Sequence, residues 1–321
     1  MESVLVTGGA GFIGSNITEA LLAKGYRVVI LDDLSTGKME NILDLRQSDN
    51  LKFIKGSILE SGLLRSIIKS DNVSLISHQA AVSSVSKSIA DPVKTVETNI
   101  AGTANLLHIA AEYKCRRVVF ASSSSIYGDA PELPKRETMT PCPKSPYAMS
   151  KCAKEMLGSV FSGLYGIQVV GLRYFNVYGK RQDPASDYAA VIPKFINKAL
   201  GNEPIPIEGD GGQTRDFIYI DDVVNANLKA LLENSVDGTV FNVANGEQTS
   251  IMDLARTIIE ITGSKSEIVY KPARFGDVRD SVGDIEHAKK HLGYSKKVDI
   301  KKGLAETVAW YRDHKRKRCA A

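Results

Sequence analysis

The sequence holds one tryptophan, four cysteines and no long apolar run in its 321 residues. Each scarcity removes a class of protein. Cys115, Cys142, Cys152 and Cys319 show no Cys-x-x-Cys spacing, which excludes a zinc ribbon or a small disulfide framework and points to a reducing compartment. No uninterrupted hydrophobic stretch reaches the ~20 residues that a bilayer span needs. The chain opens on the strand-like SVLV rather than a basic and apolar leader, so a soluble, cytoplasmic protein with no membrane partner is expected. Charge of one sign is scarce too: 41 Lys+Arg against 37 Asp+Glu leave a formal +4. The one concentrated basic run, Lys315 to Arg318, lies beside the C-terminus instead of across a face, so it reads as a solvated tail and no nucleic-acid partner is expected. His287 and His291 stand four apart, but their lysine neighbours mark a solvated helix face, and no metal is expected.

What is present is an alternation. The β-branched runs VLVTG, VVILDD, LKFIKG, LISHQAA, VVFASS and VVGLRYF are separated by a loop after the second and by helical patterns over 15–24, 62–69, 93–113 and 147–164. Continuous apolar strands joined by helices predict an α/β fold with a doubly wound parallel (Rossmann) sheet. Past Asn176 the pieces are shorter and richer in Pro and Gly, with helices expected over 223–232, 250–262 and 284–292 and a strand at VFNVA. The expected division is a nucleotide-binding domain over 1–176, rejoined by 221–245, and a smaller, interwoven substrate domain over 177–321.

Two motifs carry chemistry. In TGGAGFIG, Gly8, Gly11 and Gly14 stand three apart at the exit of the first strand and the mouth of the first helix. Glycine there lets the backbone approach a pyrophosphate, whose charge meets the helix's unpaired N–H groups. Asp32 closes the second strand eighteen residues after Gly14, where a carboxylate accepts from the adenosine ribose hydroxyls and repels a 2'-phosphate, which favours NAD over NADP. In SPYAMSK, proline at the first helical position puts Tyr147 and Lys151 on one face of a helix N-terminus. Half-ionising a phenol near pH 7 asks for roughly 4 kcal/mol. One cation supplies roughly 1 to 3 pKa units, so a further positive charge is needed, and the nicotinamide ring of bound NAD is one.

Taken in order, TGGAGFIG, DDLSTG, HQAA, SSSSIYGD, SPYAMSK, LRYFNVYG, AAVIPKF, TRDFIYIDDV, VFNVANG and GDVRDSVGDI resemble the extended short-chain dehydrogenase/reductases, and within them the UDP-sugar 4-epimerases, nearest those acting on UDP-N-acetylglucosamine. The likeness runs nearly end to end. It implies Ser123, Tyr147 and Lys151 as catalytic residues: the phenolate takes a sugar hydroxyl proton, hydride passes to NAD and back, and the keto-sugar turns over in between. It places Phe12, Ile13, Asp33, Ser35, Thr36, Gly37, Ser57, Ile58, Gln79, Ala80, Ala81, Asn99 and Phe175 at cofactor-contacting positions. Ser57 is a departure, because the family commonly carries Asp there to hold the adenine amino group. For the substrate the likeness assigns Ser123, Ser124, Asn176, Arg215, Arg274, Asp277 and Ser281, with the backbone of Ala190, Val191 and Ile192 near the uracil. It also implies a homodimer built on the helices near 93–113 and 147–164. By resemblance a dehydratase of this fold would carry Thr-Asp-Glu where this chain has Ser123, Ser124 and Ser125, and three serines leave no carboxylate for elimination. A UDP-glucuronate epimerase or decarboxylase and a non-catalytic NAD-binding protein are the alternatives.

Overall fold

Alternation along the first strand sets the layering: Val4 and Val6 enter one hydrophobic cluster, while Leu5 enters another on the opposite face of the sheet. The computed structural model describes residues 2–184, 190–233, 236, 240–273 and 279–320, without the side chains of 315–320. The first half runs β1 (Ser3–Thr7), α1 (Phe12–Ala23), β2 (Arg27–Asp32), β3 (Leu51–Lys55), α2 (Ser61–Ser70) and β4 (Val73–His78). It continues through α3 (Val85–Ala90), α4 (Pro92–Val96), α5 (Gly102–Glu112), β5 (Arg117–Ser123), α6 (Pro146–Tyr165) and β6 (Gln168–Tyr174). Then follow β7 (Asn176–Tyr178), α7 (Val191–Leu200), β8 (Ile205–Glu208), β9 (Thr214–Arg215), β10 (Phe217–Tyr219) and α8 (Ile220–Leu232). The chain closes with β11 (Val240–Val243), β12 (Thr249–Ser250), α9 (Ile251–Thr262), β13 (Ile268–Lys271), α10 (Glu286–Leu292) and α11 (Ile300–Ala320).

Seven strands form one parallel sheet in the order β11-β6-β5-β4-β1-β2-β3, with helices packed on it. Strand order reverses between β1 and β4, and such a switch point opens a crevice at the carboxyl ends of the strands. The late strand β11 joins the sheet edge, Val240 opposite Gly171 and Val243 opposite Tyr174. Around that edge the remaining strands make only two-stranded pieces, β10 with β7, β12 with β9 and β13 with β8.

The helix expected over 93–113 is interrupted. A π turn over Glu97–Ala101 separates α4 from α5. Its widened coil carries Asn99 inward, where Oδ1 accepts from Val82 N at 2.8 Å and Nδ2 donates to Val82 O at 3.1 Å and Ser150 Oγ at 2.9 Å. Helix α8 starts at Ile220, earlier than the pattern indicates, and α7 and α11 are not anticipated by it. The basic run at Lys315 to Arg318, read as a solvated tail, is helical within α11. His287 is half-buried instead of fully solvated, because it stacks on Phe241 with ring centroids 5.0 Å apart. Among the described residues, no helix is long and apolar enough to cross a membrane.

Candidate active site

Capping fixes where α6 begins. Ser145 Oγ accepts from Ala148 N at 3.1 Å, and Pro146 takes the first position, where its missing N–H costs nothing. The Tyr147 amide donates to Ser88 Oγ on α3 at 3.1 Å, which anchors the first turn sideways. Successive steps of four then bring Tyr147, Lys151 and Glu155 to one side of the helix. That side meets the carboxyl end of β5 residue by residue. The Ser123 hydroxyl lies beside the Tyr147 phenol, Lys151 Nζ donates to Ala121 O at 2.8 Å, and Ser122 Oγ donates to Glu155 Oε1 at 2.5 Å.

Burial pushes the Tyr147 phenol up, and the Ser123 hydroxyl pulls it back. Since Ser123 Oγ also accepts from Ser125 N at 3.2 Å, its own proton is free for the phenol oxygen. Lys151 Nζ stands 5.4 Å from the centroid of the Tyr147 ring, and burial lowers its ammonium to about 8 against the opposing pull of the Glu155 carboxylate. The phenol is therefore not lowered by this protein alone, in keeping with the need for another positive charge.

The sequence reading passed over several groups beside this pair. Arg173 on β6 forms a fork on Glu155, Nε to Oε1 at 2.9 Å and Nη2 to Oε2 at 2.7 Å, and its Nη1 donates to Tyr127 Oη at 2.8 Å. The spacing of Glu155, four beyond Lys151, is the signal that could have found it. Lys154 is 0 % exposed, its Nζ has no hydrogen-bond partner and lies 5.6 Å from the Phe120 centroid, and burial together with Lys151 holds its ammonium well below the usual range. His78, at the end of β4, is buried and neutral. Thr103 Oγ1 donates to Asn99 O, so it accepts from His78 Nε2, which leaves Nδ1 to accept from Thr7 Oγ1 at 2.7 Å.

At the switch point, Gly8 has φ +68, and a Cβ there would meet Ala80 N at 2.7 Å. A Cβ on Gly14 would meet Gly8 O at 2.2 Å. The β1–α1 turn thus tolerates no side chain at these positions, and α1 follows Gly11 with neither a side-chain cap nor an acid in its first turn. Its first N–H groups have no side-chain cap, an arrangement suited to a diphosphate. Asp32, buried at the end of β2, accepts from Ala10 N at 2.9 Å and Leu34 N at 2.8 Å, one bond to each carboxylate oxygen. Each oxygen keeps a lone pair for a ribose hydroxyl. Burial raises this carboxyl while the two backbone bonds lower it. Leu34 takes a left-handed φ of +63, a strain of the kind stored at binding loops. These features fit a dinucleotide.

Phe12 and Ile13 open α1, and Asp33, Ser35, Thr36 and Gly37 follow β2, the last packed against the Asp32 carboxylate. Gln79, Ala80 and Ala81 follow β4, and Gln79 spends its amide on Ser77, Asn227 and Tyr174. Ser57 and Ile58 follow β3; Ser57 donates its amide to Glu60 Oε1 at 2.7 Å while its hydroxyl accepts from Leu59 N at 3.2 Å. Phe175 is buried, its ring beside Gly283.

The described substrate candidates come from separate segments. Ser124 opens the turn after β5. Asn176 donates through Nδ2 to Asp216 O at 3.1 Å, and Arg215 through Nη1 to Thr214 O at 2.8 Å. Ala190 caps α7 without a side-chain bond, which leaves the Val191 and Ile192 amides at an uncapped helix start, while the Ile192 side chain is buried. Ser281 is half-buried in a strap pinned at both ends: Arg279 O accepts from Thr214 N at 3.0 Å, and Gly283 N donates to Asp216 Oδ2 at 3.1 Å. Arg274 and Asp277 lie outside the described residues.

A profile of the NAD dependent epimerase/dehydratase family matches residues 4–244. The chain is 39% identical over 314 residues to a putative UDP-glucose 4-epimerase of Methanocaldococcus jannaschii, covering 98% of this chain and 99% of the relative. It superposes with a TM-score of 0.92 on the UDP-glucose 4-epimerase of Thermotoga maritima solved with UDP-glucose, at 39% identity, covering 97% of this chain and 99% of that one. The UDP-N-acetylglucosamine 4-epimerase of Methanobrevibacter ruminantium, solved with UDP-N-acetylmuramic acid, gives a TM-score of 0.93 at 38% identity, with 98% and 99% covered.

Proposed function

Because the chain belongs to the NAD dependent epimerase/dehydratase family, we propose that it is an NAD-dependent UDP-sugar 4-epimerase that accepts N-acetylated sugars, interconverting UDP-N-acetylglucosamine and its 4-epimer as well as UDP-glucose and UDP-galactose. Bound NAD supplies the redox chemistry, taking the C4 alcohol to a ketone and back. The chain's own residues supply the rest. Tyr147 accepts the C4 hydroxyl proton and returns it once the keto-sugar has turned over, Ser123 donates to the phenolate, and the Lys151 ammonium favours that charged form. The glycine turn and the start of α1 hold the dinucleotide's phosphates, and Asp32 holds its ribose. Arg215 and Arg274, with Asn176, keep the sugar's diphosphate in place during rotation, guanidinium forks being suited to that charge. The uracil lies against the backbone of Ala190–Ile192.

The observation that carries the acetamido reading is Ser281, a small residue on a strap pinned on both sides. A tyrosine there would fill the space into which a C2 acetamido group must swing, and a close-packed site has few voids to absorb the misfit. Serine leaves that room. A panel of UDP-sugars incubated with purified protein tests the reading directly. Ser281→Tyr is expected to lower turnover of UDP-N-acetylglucosamine sharply while sparing UDP-glucose. Equal losses on both, or no wild-type activity on the acetylated sugar, overturns it.

The protein acts in the cytoplasm as a homodimer in this reading. Supporting the dimer, Ile89 and Val93 on α3 and α4 are 64% and 66% exposed, and Met156 and Leu164 on the neighbouring α6 are 70% and 73% exposed. An apolar face of this kind is covered in an associating protein. Light scattering of the wild type against Val93→Glu reads the association.

A further inference from the structure

Glu155 touches neither groove, yet it joins three parts of the site. Its carboxylate receives Ser122 Oγ at 2.5 Å, and Ser122 lies between Ala121, whose carbonyl holds Lys151, and Ser123, whose hydroxyl lies beside Tyr147. Adjacent residues of a strand cannot shift independently, so whatever fixes Ser122 also fixes its two neighbours. Helix α6 reaches the same strand end from its own side, with Tyr147, Lys151 and Glu155 on successive turns. The Arg173 fork in turn fixes the orientation of the carboxylate, and Arg173 Nη1 is tied to Tyr127, whose hydroxyl donates to Asn242 Oδ1 at 2.7 Å. We propose that Glu155 is the positioning residue of the proton-handling pair, clamping β5 to α6 so that Ser123 and the Ala121 carbonyl keep their register against Tyr147 and Lys151.

The clamp also has a charge. The titratable and charged groups around it are Lys151, Lys154 and Cys152 on its own helix, Arg173 from β6, Tyr127 from the turn after β5, and His78 from β4 beyond the lysines. His78 is neutral and Lys154 is held toward its neutral form, so the Glu155 carboxylate is the charge that opposes burial at Lys151. A clamp that only filled space would leave the titration of Lys151 alone. Removing the carboxylate takes away the pull that holds the proton on Lys151, which makes Lys151 lose its proton at lower pH.

The proposal rests on the epimerase reading only for its activity readout, and bound NAD and thermal stability are read independently. Glu155→Gln keeps the side chain's size and an oxygen for Ser122 but loses the charge. Its alkaline activity limb is expected to move down by at least about half a pH unit, with NAD still bound and KM changed less than about twofold. Glu155→Met/Arg173→Met removes both charges together, a swap that well-packed interiors often tolerate. It is expected to fold and retain NAD, and to lose at least about fivefold in kcat because Ser122 has no acceptor. A folded, NAD-loaded double variant with wild-type kcat, or a Glu155→Gln profile that superimposes on the wild type while only the melting temperature falls, overturns the positioning role. If no variant or wild-type preparation turns over a UDP-sugar while all bind NAD, the epimerase reading fails instead, and a Lys151 titration followed by NMR in Glu155→Gln decides the clamp: a downward shift supports it and an unchanged one overturns it.

Discussion

Replacing Lys154 by methionine should stabilise this protein, and the gain should depend on pH in a way that identifies its cause. The amine is fully buried without a hydrogen-bond partner, its stem packs with the core, and the Phe120 ring that it faces can accept a thioether instead. Burying an unpaired neutral polar group costs about 1–3 kcal/mol on protein mutational data. A second cost comes from the proton. The unfolded chain binds it below 10.5, the ordinary lysine value, whereas the folded amine, depressed well below that, does not. More protons on the unfolded state mean that wild-type stability rises with pH in this window, by about 1.4 kcal/mol per unit. The methionine variant lacks that slope. At about pH 9 the two costs sum to about 3–5 kcal/mol. An unfolding entropy of about 2.1 cal/mol/K per residue over 321 residues is about 0.67 kcal/mol/K, so the melting temperature should rise by about 4.5–7.5 °C. Each pH unit lower should widen the gap by about 2 °C until the folded amine itself takes a proton. Paired calorimetric scans of wild type and variant across this range are the assay. An unchanged or lower melting temperature, or a gain that does not vary with pH, refutes the picture of an unpaired amine without a proton.

Other outcomes follow from the site. Tyr147→Phe should leave the fold and bound NAD intact while lowering kcat by about 10²–10⁴, the usual worth of a positioned acid–base group, and near-normal turnover would remove the phenol from the mechanism. The nucleotide released on denaturing the purified protein should be NAD, because the second lone pairs of Asp32 suit ribose hydroxyls and its charge repels a 2'-phosphate; chromatography showing mostly NADP contradicts this. Gly14→Ala should abolish NAD retention and lower the melting temperature, since its Cβ would lie 2.2 Å from Gly8 O, and a variant that keeps its nucleotide would show that the turn can open.

The parts of this site that were legible in the sequence are those made by neighbours along the chain. The glycine turn, Asp32 at a strand end, and Tyr147 one turn before Lys151 each follow from local spacing and cap chemistry. What escaped was set by pairs distant in sequence. Asn99 turns inward because Val82 and Ser150 wait there, which a helical pattern cannot show. Glu155 reads as one more acid on an amphipathic helix until β5 and β6 bring Ser122 and Arg173 to it. Burial likewise reversed the direction first expected for the phenol: local spacing shows the nearby lysine, but not that the lysine's own proton is held by Ala121 and loosened by the surrounding core. Val240–Val243 is recognisable as a strand from its own residues, whereas its partner β6 lies on the far side of β7 to α8 in the chain.

That last pairing bears on how the protein is born. Strand β6 ends at Tyr174, and the strand that covers its outer edge begins only at Val240. At about 5–20 residues per second, a ribosome needs several seconds to cross that interval, and throughout it the nascent sheet presents an uncapped row of backbone donors and acceptors. Native yield is therefore expected to depend on translation speed through the intervening segments, and expression at a slowed elongation rate with an unchanged soluble fraction would count against it.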